Sequence, residues 1–294
     1  MSEFVVAGIQ LGKLLLADGA WGTNLMSAGL DVSTDCAEHW NLTRPEQVRQ
    51  LAAAFHIAGA QVSTTNTFGA NRIRLARFGL EKQLVEINAT GLRLTRDATH
   101  HQTLIAASMG PTGLKDILSR RVEIFQAFAE HAQVLVDNGA DVLLLETMTS
   151  PEEAEIALEA LHTTVSTPVV CSYAFTRGSS GDFTTWSGAT VESALLTAQE
   201  GGAFMVGANC LPADDALDTL LTRIHATTPT LPIWLKPNAG SPIPRDGEVA
   251  YARPVHLLPL SSDRLTALNV AVLGGCCGTT PAHIGHLRER RAAW

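Results

Sequence analysis

The stretch Val270-Ala271-Val272-Leu273-Gly274-Gly275-Cys276-Cys277-Gly278-Thr279-Thr280-Pro281 decides the reading of this chain. An apolar, partly β-branched run leads into two adjacent cysteines set between glycines, and a proline follows where a helix can begin. The pattern predicts a strand, a turn and a helix. Neighbouring residues on an extended strand point to opposite faces, so both thiols can reach one point only if the backbone bends beside them. The flanking glycines permit that bend and leave the sulfurs open, which a packing role would not need. Converging thiolates usually serve a soft metal ion, and zinc would want one or two further ligands from elsewhere. The chain must therefore supply another cysteine or histidine at a comparable strand end.

Outward from this stretch, the same order of strand, polar end and helix repeats along the sequence. Strands are predicted over residues 14–17, 61–65, 104–108, 141–145, 169–175, 204–208, 233–235 and 270–273. Helical spacing covers residues 45–58, 73–78, 83–98 and 122–138, and further helices open at Pro151 and Pro281. Nearly every strand ends in a polar or glycine-containing sequence: Asp18, Asn66, Gly110, Glu146, Asn209-Cys210, Asn238 and Cys276-Cys277. Eight such units predict an α/β fold, a single (β/α)8 TIM barrel over residues 1–294, with a doubly wound open sheet as the alternative. In a barrel all the strand ends meet on one face, so the missing sulfur is Cys210, across the mouth from Cys276 and Cys277. The Gly/Ser/Thr-rich residues 177–190 form the longest expected loop at a strand end, a candidate lid or donor-binding loop.

Composition narrows the classes. A hydrophobic content of 46% over 294 residues is ample for a large core. The net charge of −8 and the lack of a basic cluster argue against a nucleic-acid surface, and the run of arginines near the C-terminus reads as a solvated helix end. No long apolar segment or basic-then-apolar leader is visible, so the expected partners include no membrane. Five cysteines make no paired framework, which points to a reducing, cytoplasmic setting.

The strand ends carry Asp18-Gly19-Ala20-Trp21-Gly22-Thr23, Thr65-Asn66-Thr67-Phe68-Gly69-Ala70, Gly110-Pro111-Thr112-Gly113, Glu146-Thr147, Asn209-Cys210, Pro237-Asn238-Ala239-Gly240 and the opening stretch. Taken together, these motifs resemble the zinc-dependent homocysteine S-methyltransferase family. The forms Thr-Asn-Thr-Phe-Gly and Pro-Asn-Ala-Gly look most like the homocysteine-binding module of cobalamin-dependent methionine synthase. The resemblance implies zinc held by Cys210, Cys276 and Cys277, with the homocysteine sulfur as fourth ligand and as nucleophile toward an activated methyl group. Asp18 and Glu146 match the family's amino-acid-binding acids. The backbone of residues 19–23, from Gly19 to Thr23, offers donors to the substrate carboxylate, and Asn66 and Asn238 are assigned orienting roles.

The plainer readings stand beside these. Cys171 lies inside an apolar strand and Cys36 in a loop, both as structural residues. Asp18 could cap a turn, and Glu146 could cap the next helix. Trp21 either packs under the mouth or borders a cationic methyl donor, and Trp186 shares that ambiguity. A small sulfonium or quaternary ammonium donor would need an aromatic or acidic cage in this chain. Methylcobalamin would instead arrive on a corrinoid protein, and the alternative reading makes the chain the methyltransferase component of such a corrinoid system, with a different donor or acceptor. A non-catalytic zinc-binding or thiol-redox protein is the third reading, and it leaves the two strand-end acids without a purpose.

Overall fold

The computed structural model describes residues 5–6, 9–10, 13–240, 242–245, 248–251 and 260–292. Eight strands share one sheet: β1 (Leu15–Leu16), β2 (Val62–Thr64), β3 (Leu104–Met109), β4 (Val142–Met148), β5 (Val169–Tyr173), β6 (Met205–Pro212), β7 (Ile233–Asn238) and β8 (Val270–Leu273). Each is hydrogen-bonded in parallel to its sequence neighbour from β2 to β7, and β8 lies between β7 and β1. A parallel bridge from Ala17 to Val62, with the Asp18 amide donating to the Val62 carbonyl at 3.0 Å, closes β1 onto β2. The expected TIM barrel is the fold.

Alternation along the strands builds two cores. Ala17, Val62, Ala106, Val142, Leu144, Val170, Met205 and Trp234 fill the inside of the barrel. Their neighbours in sequence, among them Leu143, Leu145, Cys171, Val206 and Leu235, pack outward against the helices. Burial on both faces is why these strands read as continuous apolar runs rather than as alternating ones. The helices that follow carry ordinary end signals. The helix Pro45–Ala58 stops at left-handed Gly59, and Pro151–Thr164 is capped by Ser150, whose hydroxyl accepts from the Glu153 amide.

Three features depart from the sequence expectation. β4, β6 and β7 run on past their predicted ends, and β4 and β6 slip register in their last residues, between Leu145 and Met148 and between Asn209 and Pro212. The loop expected over residues 177–190 contains part of an antiparallel ribbon, Phe175–Arg177 paired with Phe183–Thr185, with Phe175 and Phe183 buried. A second ribbon, Pro242–Arg245 paired with Glu248–Tyr251, follows β7 and was not foreseen. Ser241, part of the sequence that ends β7, lies outside the described residues.

The barrel interior has no slack at Gly207. A Cβ added there would fall 2.0 Å from the backbone oxygen of Trp234, whose side chain is fully buried. Gly207→Ala should therefore lower stability by about 1–3 kcal/mol, the usual cost of overpacking. Urea denaturation checks this, and an unchanged midpoint would show that β6 and β7 can separate at no cost.

Candidate metal centre

Alternation places Met205, Gly207 and Asn209 on the inner face of β6, so a regular strand would turn Cys210 outward to the helices. Cys210 instead takes a left-handed backbone conformation, φ 58°, at the register slip. Such a conformation costs a non-glycine residue about 1–3 kcal/mol and persists only where surrounding structure imposes it. Its effect is to swing the Cys210 sulfur back over the mouth. On the far side of β7, the loop after β8 is pinned by its backbone: the Gly275 amide donates to Asp18 O (3.0 Å) and the Cys276 amide to Pro237 O (2.7 Å). The Ala239 amide donates in turn to Cys277 O at 2.9 Å.

The result is convergence. The sulfurs of Cys210, Cys276 and Cys277 all lie within 4.8 Å of one another, and those of Cys210 and Cys277 are 3.8 Å apart. Zinc–sulfur bonds of about 2.3 Å in a tetrahedron put sulfurs roughly 3.8 Å apart, so the donor set fits that ion. Hydrogen bonds from Cys210 and Cys276 pull the Cys277 thiol well below the usual range, and the same sulfur–sulfur bonding pushes Cys210 far up. Three sulfurs this close share protons among themselves, and a divalent cation would displace those protons. Tyr251, brought in by the second ribbon, adds a hydrogen bond to Cys277.

Beneath the sulfurs, the last inward-facing residues of the strands form a polar ring. Asp18 is 1% exposed; it accepts from the Thr64 amide (2.7 Å), from the Thr64 hydroxyl (3.0 Å) and from the Lys236 ammonium (2.7 Å). Lys236, 2% exposed, is opposed by burial, yet Asp18 and Glu146 keep its ammonium above the ordinary lysine value. Glu146 is partly exposed in the mouth and accepts a short hydrogen bond from Ser108. Burial pushes its carboxyl up to about 7, against the pull of Lys236 and Ser108. Asn209, fully buried, links Ser172, Thr147 and Cys276.

A profile of the homocysteine S-methyltransferase family matches residues 15–291. The chain belongs to that family. Methyl transfer to homocysteine is thus the activity of the family to which this fold and its three-cysteine cluster belong. Methionine synthase of Mycobacterium leprae is 27% identical to it over 96% of this chain, and so is that of Mycobacterium tuberculosis. The chain spans about a quarter of the length of these relatives, 24% in each case. The homocysteine methyltransferase MmuM from Escherichia coli, solved in a metallated form, superposes with a TM-score of 0.74 at 25% identity. That alignment covers 95% of this chain and 96% of MmuM. Its oxidized form gives 0.73 at 26% identity.

Within this member of the family, the other residues singled out from the sequence fall into distinct places. Glu146 faces the mouth, while both oxygens of Asp18 are occupied by Thr64 and Lys236. Gly19 sits where a Cβ would meet the Phe55 ring at 2.6 Å, and the Thr23 hydroxyl accepts from the Gly278 amide at 3.1 Å. The Ala20 amide is spent on Thr279 O. Asn66 gives its side-chain N–H groups to Ala37 O and Asn41, anchoring residues 37–41. Asn238 is 7% exposed, and its side-chain oxygen is buried without a hydrogen-bond partner. Trp21 packs beside Leu25 and Trp40, and its indole N–H donates to the Thr64 hydroxyl at 3.1 Å.

Lys236 was missed, although a lysine within Ile-Trp-Leu-Lys-Pro-Asn, sharing a face with Trp234 and Asn238, was the signal. Its pairing with Asp18 is testable because a buried pair behaves asymmetrically. Lys236→Met should cost about 3–5 kcal/mol by orphaning Asp18, and adding Asp18→Asn should recover most of it. Chemical denaturation of the single and double variants checks this; equal losses in both would remove the pair from the account.

Proposed function

We propose that this chain, a single barrel domain over residues 1–294, transfers a methyl group to the sulfur of homocysteine, with zinc held by Cys210, Cys276 and Cys277. The observation that carries the reading is three converging sulfurs beside a carboxylate, Glu146, that faces the mouth. Zinc bound there would supply a fourth position that keeps the substrate sulfur deprotonated and electron-rich at neutral pH. That sulfur bonds to the methyl carbon as the bond from carbon to its carrier breaks.

The chain's own residues orient the amino acid. Glu146 accepts the substrate ammonium, whose charge favours the ionised carboxylate and draws the proton off it. Asp18 acts one step back by fixing Lys236, which offsets the negative charge gathered around the sulfurs. The unpartnered oxygen of Asn238 offers a second acceptor. The turn over residues 19–23 is assigned the carboxylate. Asn66 acts through the loop it anchors.

The proposed donor is a small sulfonium, because Trp21 supplies a partly exposed aromatic ring tied through Thr64 to the ring of polar groups around Asp18. A corrinoid protein is the second reading, favoured by the likeness to methionine synthase. A reducing cytoplasm is the proposed compartment, in keeping with five free cysteines. Among the described residues no helix is long and apolar enough to cross a membrane.

Zinc-loaded protein should convert homocysteine to methionine when assayed against S-methylmethionine, S-adenosylmethionine, betaine and methylcobalamin. Turnover with a sulfonium supports the leading reading, and turnover with methylcobalamin alone replaces it with the second. Failure with every donor contradicts both.

Glu146 gives a separate test with a defined sign. Because its folded carboxyl is pushed up to about 7 from the ordinary glutamate value of 4.5, its ionisation destabilises the fold above pH 7, and the penalty vanishes as pH falls toward 4.5. Glu146→Gln should therefore raise the melting temperature of metal-free protein at pH 8, with the gain fading between pH 7 and 4.5. The same variant should weaken homocysteine binding by about 2–5 kcal/mol in calorimetry while retaining zinc. Unchanged affinity would assign Glu146 to structure.

A further inference from the structure

Asn209 precedes one of the three cysteines, yet its side chain serves two other parts of the site. It is fully buried. Its oxygen accepts from the Thr147 amide at 2.9 Å and from the Ser172 hydroxyl at 2.7 Å. Its nitrogen donates to the Thr147 hydroxyl at 2.6 Å and lies 3.9 Å from the sulfur of Cys276. The backbone amide of Thr147 can only donate, so the oxygen of the Asn209 amide must face it. The N–H2 end is then left facing Cys276, whichever way the hydroxyls rotate.

Thr147 is itself unusual, a non-glycine residue in left-handed conformation, φ 59°, at the register slip of β4 and directly after Glu146. Both polar groups of Thr147 that reach inward end on Asn209. One amide side chain thus holds the turn that aims Glu146 and also presents a donor to a sulfur of the metal cluster.

We infer that Asn209 is a positioning residue that joins the two halves of the site, steadying the Cys276 sulfur through an N–H···S contact and fixing the Glu146-Thr147 turn. This rests on the reading of Cys210, Cys276 and Cys277 as the metal ligands. Donors to a ligand atom orient it and tune its basicity, so their loss reaches the metal without touching the ligand set.

Asn209→Asp tests the contact: the carboxylate keeps the shape and both accepted hydrogen bonds, accepts from the Thr147 hydroxyl in place of donating to it, and turns an oxygen toward Cys276 in place of N–H2. Cobalt(II) in place of zinc reports on it through the sulfur-to-metal charge-transfer band, and a chelator competition reports zinc affinity. The expected result is a displaced band and zinc affinity lowered about 10- to 100-fold, with far-ultraviolet circular dichroism unchanged. Ser172→Ala, which removes only one accepted bond, should leave band and affinity near wild type. A folded Asn209→Asp protein with the wild-type band and affinity overturns the inference, as does a Ser172→Ala protein shifted equally. Should Asn209→Asp fail to fold, Asn209→Ser keeps a neutral acceptor near the Thr147 amide and is read in the same way. Absence of the charge-transfer band in the wild-type protein would overturn the three-cysteine reading itself, and this inference with it.

Discussion

Three thiols have to meet at one point above a closed barrel, and regular strands would not bring them there. Two come from adjacent residues, which an extended backbone would send to opposite faces, and the third from a position whose alternation points outward. The structure meets the constraint with a glycine-flanked turn at Cys276 and Cys277 and a left-handed residue at Cys210. Neither device stands alone. The Cys276 turn is held by backbone bonds to Asp18 and Pro237, and the strand carrying Cys210 slips its register against β7. Strain localised at strand ends is tolerable because a buried layer of apolar residues lies beneath them.

Charge is the second constraint. Thiolates, Glu146 and Asp18 gather negative charge at the mouth of the barrel, and the buried Lys236 answers it. Its ion pair with Asp18 is buried on both sides, 3% and 2% exposed at the side chains. A pair so placed contributes little net stability but holds a fixed charge in a fixed position. The arrangement separates two carboxylates that look equivalent in sequence. Asp18 is committed to the protein, while Glu146 keeps an elevated proton affinity and an open face toward the mouth.

Much of this was legible in the residues. The eight strands, the polar character of their ends and the pairing of Cys210 with Cys276 and Cys277 follow from periodicity and from the geometry of a barrel, where all strand ends share one face. The ring beneath the sulfurs was less visible. Ser108 and Ser172 are ordinary strand residues until two-residue alternation, counted from the buried layer below, places them inward. Trp21 shows why single residues mislead: its ring packs sideways while its nitrogen joins the ring through Thr64. The ribbon Glu248–Tyr251 lay beyond reach because short antiparallel pairs depend on partners that local pattern does not reveal.

The central claim is that the three cysteines hold a zinc ion whose remaining position is taken by the substrate sulfur. X-ray absorption at the zinc edge, measured on the purified protein before and after adding homocysteine, tests it directly. The account predicts a shell of three sulfurs with one lighter neighbour that becomes a shell of four sulfurs when homocysteine binds. A shell dominated by nitrogen or oxygen, or one that homocysteine leaves unchanged, would contradict it.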